Sequence, residues 1–186
     1  MKRALDIACA LAGLIVLSPV LVGLAIAVRL DSRGPSLHWS RRVGRGNRLF
    51  AMPKFRTMAT GAPDVASHLL DDPGRWITPL GRFLRRTSLD ELPQLWSVVK
   101  GDMSLVGPRP ALFNQDDLVA LRTKAGVDAL RPGLTGWAQI NGRDELPIPE
   151  KAKLDREYLE RRSLLFDLQI IATTALSALS GRGITH

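Results

Sequence analysis

Cysteine is nearly absent from this 186-residue chain: Cys9 stands alone, so no internal disulfide can form. Histidine is almost as scarce, and His38, His68 and His186 are scattered without metal-ligand spacing, which argues against a zinc site. Aromatic residues make up only 5% of the chain, few for stacking on bases, and no nucleic-acid-binding motif accompanies them. Acidic residues are outnumbered by basic ones, 18 to 26, leaving a net charge of +8. That excess points to an anionic partner, and by itself leaves nucleic acid, a lipid headgroup surface and a phosphorylated substrate open. Internal repeats and low-complexity stretches are lacking, and the length suits one domain with a real core.

What the chain does contain begins with a run of 22 residues without charge, Ile7 to Val28. As a helix it would extend roughly 33 Å, against a bilayer hydrocarbon core of about 30 Å. Lys2 and Arg3 precede the run, and Arg29, Arg33, Arg41 and Arg42 follow it, so the positive-inside rule places both ends on the cytoplasmic side. Ser18-Pro19 interrupts the middle, where proline removes a backbone donor and bends a helix. The expectation is a re-entrant helix-break-helix over residues 1–30, with residues 31–186 forming an interfacial domain on the cytoplasmic side, in one continuous functional unit. A kinked single-pass anchor competes closely on sequence physics. A cleaved signal peptide, suggested by Ala25-Ile26-Ala27, competes less well because the apolar run exceeds the usual length.

Residues 29–56 carry eight basic side chains against Asp31, a local charge of +7 suited to holding the chain at anionic headgroups. Within them, Ser36–Val43 and Arg48–Phe55 flank Gly44-Arg45-Gly46-Asn47, the pattern of a short hairpin. Residues 60–81 read as an irregular loop around a short helix near Val65–Leu70, either a substrate lid or a surface connection. A helix is expected from Leu89 to Lys100, stopped by Gly101, with Leu92, Leu95, Trp96 and Val99 as its apolar stripe. Residues 111–130 suggest one or two polar helices, and 131–143 a Gly/Pro-punctuated loop around Trp137. The tail reads as a charged helix from Ile148, then a stripe of Leu164, Leu168, Ile171, Ala175, Leu176 and Leu179. That stripe suits protein core or an interfacial amphipathic helix.

The segment richest in chemistry runs from Arg85 to Pro110. Ser88-Leu89-Asp90-Glu91 spells a capping box, which would put both acids in a first helical turn and keep them ionised. An ionised carboxylate can act as a nucleophile or a magnesium ligand, and Arg85, Arg86 and Arg109 can bind phosphate oxygens. Any well-capped helix carries the same letters without chemistry.

This segment, closed by Gly107-Pro108-Arg109-Pro110, resembles the signature of the small monotopic phosphoglycosyl transferases, a bacterial sugar transferase family. The similarity extends to Pro53-Lys54-Phe55-Arg56-Thr57-Met58, to the stretch from Arg131 to Arg143, and to Phe166-Asp167-Leu168. The resemblance implies an α+β, mainly helical fold, monotopic in the membrane, with interfacial amphipathic helices. It also implies transfer of a phosphosugar from a UDP-sugar to a polyprenol phosphate, undecaprenyl phosphate being the expected lipid, with release of UMP. Asp90 would be the nucleophile, forming a phosphosugar-aspartyl intermediate, and Glu91 would help hold Mg²⁺. Lys54, Arg85, Arg109 and Arg143 would bind phosphate or nucleotide oxygens. Asp167 would join the metal or charge network, or simply pair with Arg161 or Arg162. Ser18 and Pro19 would break the membrane helix. The resemblance further implies a place on the cytoplasmic face of the bacterial inner membrane among phospholipids, initiation of glycoconjugate assembly, no nucleic-acid partner, and room for a homodimer. It suggests a UDP-linked N-acetylated hexose as donor, and a minimal catalytic unit beside larger relatives with an added membrane bundle. Two alternatives stand beside it: a membrane-tethered basic module that binds nucleic acid or a protein without catalysis, and a glycosyltransferase that breaks the anomeric bond and releases UDP.

Overall fold

The computed structural model describes residues 2–62, 72–142 and 146–180. The fold is α+β and mostly helical. Two helices open it, α1 (Lys2–Val16) and α2 (Ser18–Asp31), bent by 62° at Leu17. The break falls where the sequence places it: the Ser18 hydroxyl donates to the Ile15 carbonyl at 2.7 Å, and Pro19 occupies the first turn of α2, where a missing N–H costs nothing. No single helix among the described residues is long and apolar enough to cross a membrane, although this bent pair passes the test of length and composition jointly.

The pair is seated on the rest of the protein at both ends. At its start, the Arg3 guanidinium donates to the carbonyls of Val98 (2.6 Å), Val99 and Met103, and Asp6 accepts from the Ser104 hydroxyl at 2.8 Å. Lys2 reaches Asp167 at 2.5 Å. At its finish, Arg56 donates to the Ser32 carbonyl at 2.5 Å and to the Ser32 hydroxyl at 2.9 Å. Between these anchors, Ala10, Leu14 and Leu17 pack against Leu95, Val98, Met103 and Met52, while Leu21, Leu24 and Val28 pack against Phe55 and Leu84. The opposite face leaves Ile15, Val16, Val20, Val22, Ile26 and Leu30 exposed.

Strands β1 (Leu37–Val43) and β2 (Leu49–Phe55) form the expected antiparallel hairpin, with Ser40 opposite Met52 and His38 opposite Lys54. Period-two alternation therefore puts Arg42, Met52 and Lys54 on one face. Helices α3 (Pro73–Trp76) and α4 (Pro79–Thr87) follow; the latter falls largely beyond the expected loop, and Val65–Leu70 lie outside the described residues. A local signal for α4 exists in Thr78-Pro79: Thr78 caps the helix by accepting from the Gly81 N–H at 2.9 Å.

The single helix expected over Leu89–Lys100 is a 3₁₀ turn, Leu89–Glu91, followed by α5 (Gln94–Lys100). The cause is Ser88. Its backbone is left-handed (φ 56°, ψ 17°) and terminates α4, so its side chain makes no cap, since an N-cap needs extended backbone. Backbone bonds from Leu95 to Leu92 and from Trp96 to Pro93 keep the tighter winding going, which rotates the apolar stripe. Leu95 and Val98 are buried and Trp96 faces outward. Gly101 stops α5 as expected, at φ 104°.

The second sheet is small. Strand β3 (Ser104–Val106) pairs in parallel with β4 (Gly133–Thr135), separated in sequence by α6 (Asp116–Lys124). The backbones approach so closely that a Cβ on Gly133 would lie 2.1 Å from the Gly107 nitrogen. Helices α7 (Trp137–Ile140), α8 (Ile148–Arg161) and α9 (Leu164–Ser180) are the last elements among the described residues. Trp137 packs on Phe166 with ring centroids 5.0 Å apart and donates to Glu157 at 3.0 Å, a packing role. In α9, Phe166 and Ile170 turn inward, whereas Leu164, Leu168, Ile171 and Leu176 of the predicted stripe are exposed. The stripe is therefore not core.

Candidate active site

Four pieces of the chain converge on Asp90 and Glu91. The hairpin supplies Lys54 from β2, whose ammonium donates to Glu91 Oε1 at 2.8 Å. The loop after β3 supplies Arg109, which donates to the same oxygen at 3.2 Å. Helix α4 supplies Arg85, whose Nε donates to the Thr57 hydroxyl at 2.8 Å. The 3₁₀ turn that follows holds the two acids.

Backbone chemistry fixes each piece. Gly81 lets α4 lie directly on the end of β2: a Cβ there would meet the Thr57 carbonyl oxygen at 2.1 Å. The Arg109 loop is held from two sides, because Arg122 donates to the Arg109 carbonyl at 2.8 Å and Arg42 to the Pro110 carbonyl at 3.2 Å. Arg122 is itself fixed by a buried pair with Asp155, at 2.6 and 2.8 Å.

The two acids, adjacent in sequence, have opposite electrostatics. Burial pushes the Asp90 carboxyl above its ordinary pKa, with Lys54, Arg85 and Arg109 opposing that shift and the Glu91 charge adding to it. For Glu91 burial acts in the same sense, but Lys54 and Arg109 outweigh it and hold the carboxyl well below the usual carboxylate range. Ionisation of Glu91 thus comes from paired cations rather than from the helix terminus that the sequence suggests. Arg85 has its pKa lowered by burial, offset in part by Asp90.

The remaining predicted residues are placed as follows. Asp167 gives one oxygen to the Tyr158 hydroxyl at 2.7 Å and the other to Lys2, tying the two ends of the chain together instead of pairing with Arg161 or Arg162. Arg143 lies outside the described residues. Three residues near the acids were not singled out from the sequence: Thr57, Arg42 and Gln94. A shallow cleft beside Glu91 is lined by Arg42, Met52, Lys54, Gln94, Arg109 and Pro110. Strand alternation from Lys54 could have found Arg42; the helix phase that buries Gln94 was hidden by the 3₁₀ turn.

The arrangement can bind phosphate oxygens and present a carboxylate to them. The family model described as bacterial sugar transferase matches residues 1–181. The chain belongs to that family. It is 41% identical over 192 residues to the undecaprenyl-phosphate glucose phosphotransferase of Komagataeibacter xylinus, covering 93% of this chain and 35% of that protein. It is 40% identical over 186 residues to the sugar transferase EpsL of Bacillus subtilis, covering 99% of this chain and 90% of that one. A third relative is the UDP-glucose:undecaprenyl-phosphate glucose-1-phosphate transferase of Caulobacter vibrioides, 40% identical over 189 residues, 96% of this chain and 70% of that protein. The chain spans less than half the length of several curated relatives it matches.

As to metal, no group of three or more His, Cys, Asp or Glu residues among the described residues of this sugar transferase could hold an ion. Mg²⁺ commonly takes one or two carboxylates and completes its shell with substrate phosphates and water. Asp90 and Glu91 fit that donor set, and they do not form an all-protein cage.

Proposed function

We propose that this sugar transferase moves a phosphosugar from a UDP-sugar to a polyprenol phosphate, releasing UMP, through a covalent intermediate on Asp90. The observation that carries this reading is one buried carboxylate, Asp90, in the combined field of Lys54, Arg85 and Arg109. An oxygen of Asp90 attacks the phosphorus bearing the sugar, and the bond from that phosphorus to the UMP oxygen breaks. A phosphate oxygen of the lipid then attacks the same phosphorus and Asp90 leaves, restored as a carboxylate. The three cations balance charge on the phosphoryl oxygens in both displacements. Burial makes Asp90 a more basic carboxylate than one in water, which favours attack once it is ionised. Mg²⁺, held by Glu91 together with substrate phosphates, would neutralise diphosphate charge. The names of the Komagataeibacter and Caulobacter relatives support undecaprenyl phosphate as the acceptor.

We also propose that the bent pair α1–α2 enters and leaves one leaflet of the bacterial inner membrane, with the active site on the cytoplasmic face. Supporting this, Arg3 fastens the start of the pair to the end of α5, and Arg56, directly after β2, fastens its finish. Both anchors belong to one packed body, since Met52 of β2 shares a core cluster with Leu95 and Val98 of α5. The exposed apolar sides of α1, α2 and α9 would contact lipid.

The decisive experiment is nucleotide release from UDP-glucose, UDP-galactose and UDP-N-acetylgalactosamine, using protein in nanodiscs with undecaprenyl phosphate and Mg²⁺. UMP is expected, and Asp90→Asn should abolish it. Intact mass spectrometry with donor alone should show the phosphosugar adduct on the wild type and none on Asp90→Asn. Release of UDP instead would mean cleavage at the anomeric bond and would overturn the mechanism.

A further inference from the structure

Gln94 is 3% exposed, and its Nε2 is buried with no hydrogen-bond partner among the described residues. Such a group is unusual, because a buried amide nitrogen normally finds an acceptor, and leaving it unpaired gives up hydration without return. A leucine of similar size would fill the same space at no such cost. Gln94 also lines the cleft beside Glu91, in the company of Lys54, Arg109 and Arg42. Three cations against the single carboxylate of Glu91 make the cleft attractive to an anion.

We infer that the Gln94 carboxamide is a substrate contact, donating a hydrogen bond from Nε2 to a phosphoryl oxygen of an anion seated in this cleft. The inference rests on the phosphoryl-transfer reading above and extends it to a residue outside the acid pair and its cations. A phosphoryl oxygen would supply the acceptor that no described residue gives this amide, and Glu91 Oε1 is already shared by Lys54 and Arg109. A neutral donor adds direction without adding charge, which suits a position among cations that already supply the attraction. The oxygen could belong to the diphosphate of the nucleotide donor or to the phosphate of the lipid.

The test uses the full chain in nanodiscs, with Gln94→Leu and Gln94→Glu. Unliganded Gln94→Leu should melt at or above the wild-type temperature, because the unpaired amide is gone. Affinity for inorganic pyrophosphate, read by thermal shift, should weaken at least tenfold in Gln94→Leu and further in Gln94→Glu, where a carboxylate repels the anion. KM measured separately for the UDP-sugar and for undecaprenyl phosphate then assigns the oxygen: a rise of tenfold or more for one substrate alone names its source. The inference is overturned if Gln94→Leu binds pyrophosphate like the wild type with both KM values within twofold. It is also overturned if Gln94→Leu melts clearly lower, which would make the amide a structural group. Pyrophosphate binding needs no turnover, so a chain that binds it through Gln94 yet releases no UMP would defeat the transferase mechanism and leave this contact standing.

Discussion

Asp90 and Glu91 share a peptide bond, yet they should respond to pH and to mutation in opposite directions. Asp90 holds its proton more tightly folded than unfolded, so its ionisation weighs against the fold once pH rises above about 3.9. Replacing it with asparagine should therefore raise the melting temperature while eliminating turnover, a combination that calorimetry and the UMP assay can read on one preparation. Glu91 is the reverse case: its pairing with Lys54 and Arg109 stabilises the fold above about pH 4.3 and is lost progressively as pH falls below that. Glu91→Gln should cost about 2 kcal/mol at neutral pH, measured by denaturant unfolding, because the bonds from Lys54 and Arg109 lose the negative charge of their acceptor. It should also flatten the acid limb of the stability curve. The acids themselves were legible from the sequence, but their electrostatic division was not. It depends on Lys54, 37 positions earlier in the chain, and on Arg109, 18 positions later.

Among the elements, those with local punctuation were readable and those whose ends compete for a residue were not. Gly44 to Asn47 marks the hairpin, Ser18-Pro19 the break between α1 and α2, and Gly101 the end of α5, each through backbone chemistry carried by the residue itself. Ser88 misleads because two helical segments claim it, and the left-handed stop of α4 prevails over the start of the next turn. In α9 the sequence shows an apolar stripe, but periodicity cannot say whether the face turns to protein or away from it. The contact between α4 and the end of β2 carries a prediction of its own. Gly81→Ala must push Thr57 and α4 apart, costing about 1–3 kcal/mol in thermal or chemical unfolding. Arg85 would move with the helix, so activity should drop more than tenfold even at temperatures where the variant stays folded.

For the molecule as a whole, the two ends of the bent helical pair are bound to one body, and this sets its expected topology. Cysteines introduced at Ser36 and just before Lys2, in a chain with Cys9 replaced by serine, should react with a membrane-impermeant maleimide only when it is supplied from the cytoplasmic side. Labelling of the two positions from opposite sides would establish a span and defeat the re-entrant reading. The bond between Lys2 and Asp167 joins residues 165 positions apart. On the ribosome the first helix is therefore made long before its partner exists, by roughly 8 to 33 s at ordinary translation rates. During that interval Lys2 has no Asp167 to meet, and through the earlier part of it the apolar helix behind Lys2 has no α5 to lie against. Lipid is the natural shelter for such a segment while it waits, so a stretch made well before its partners is among the last to be locked into its final place.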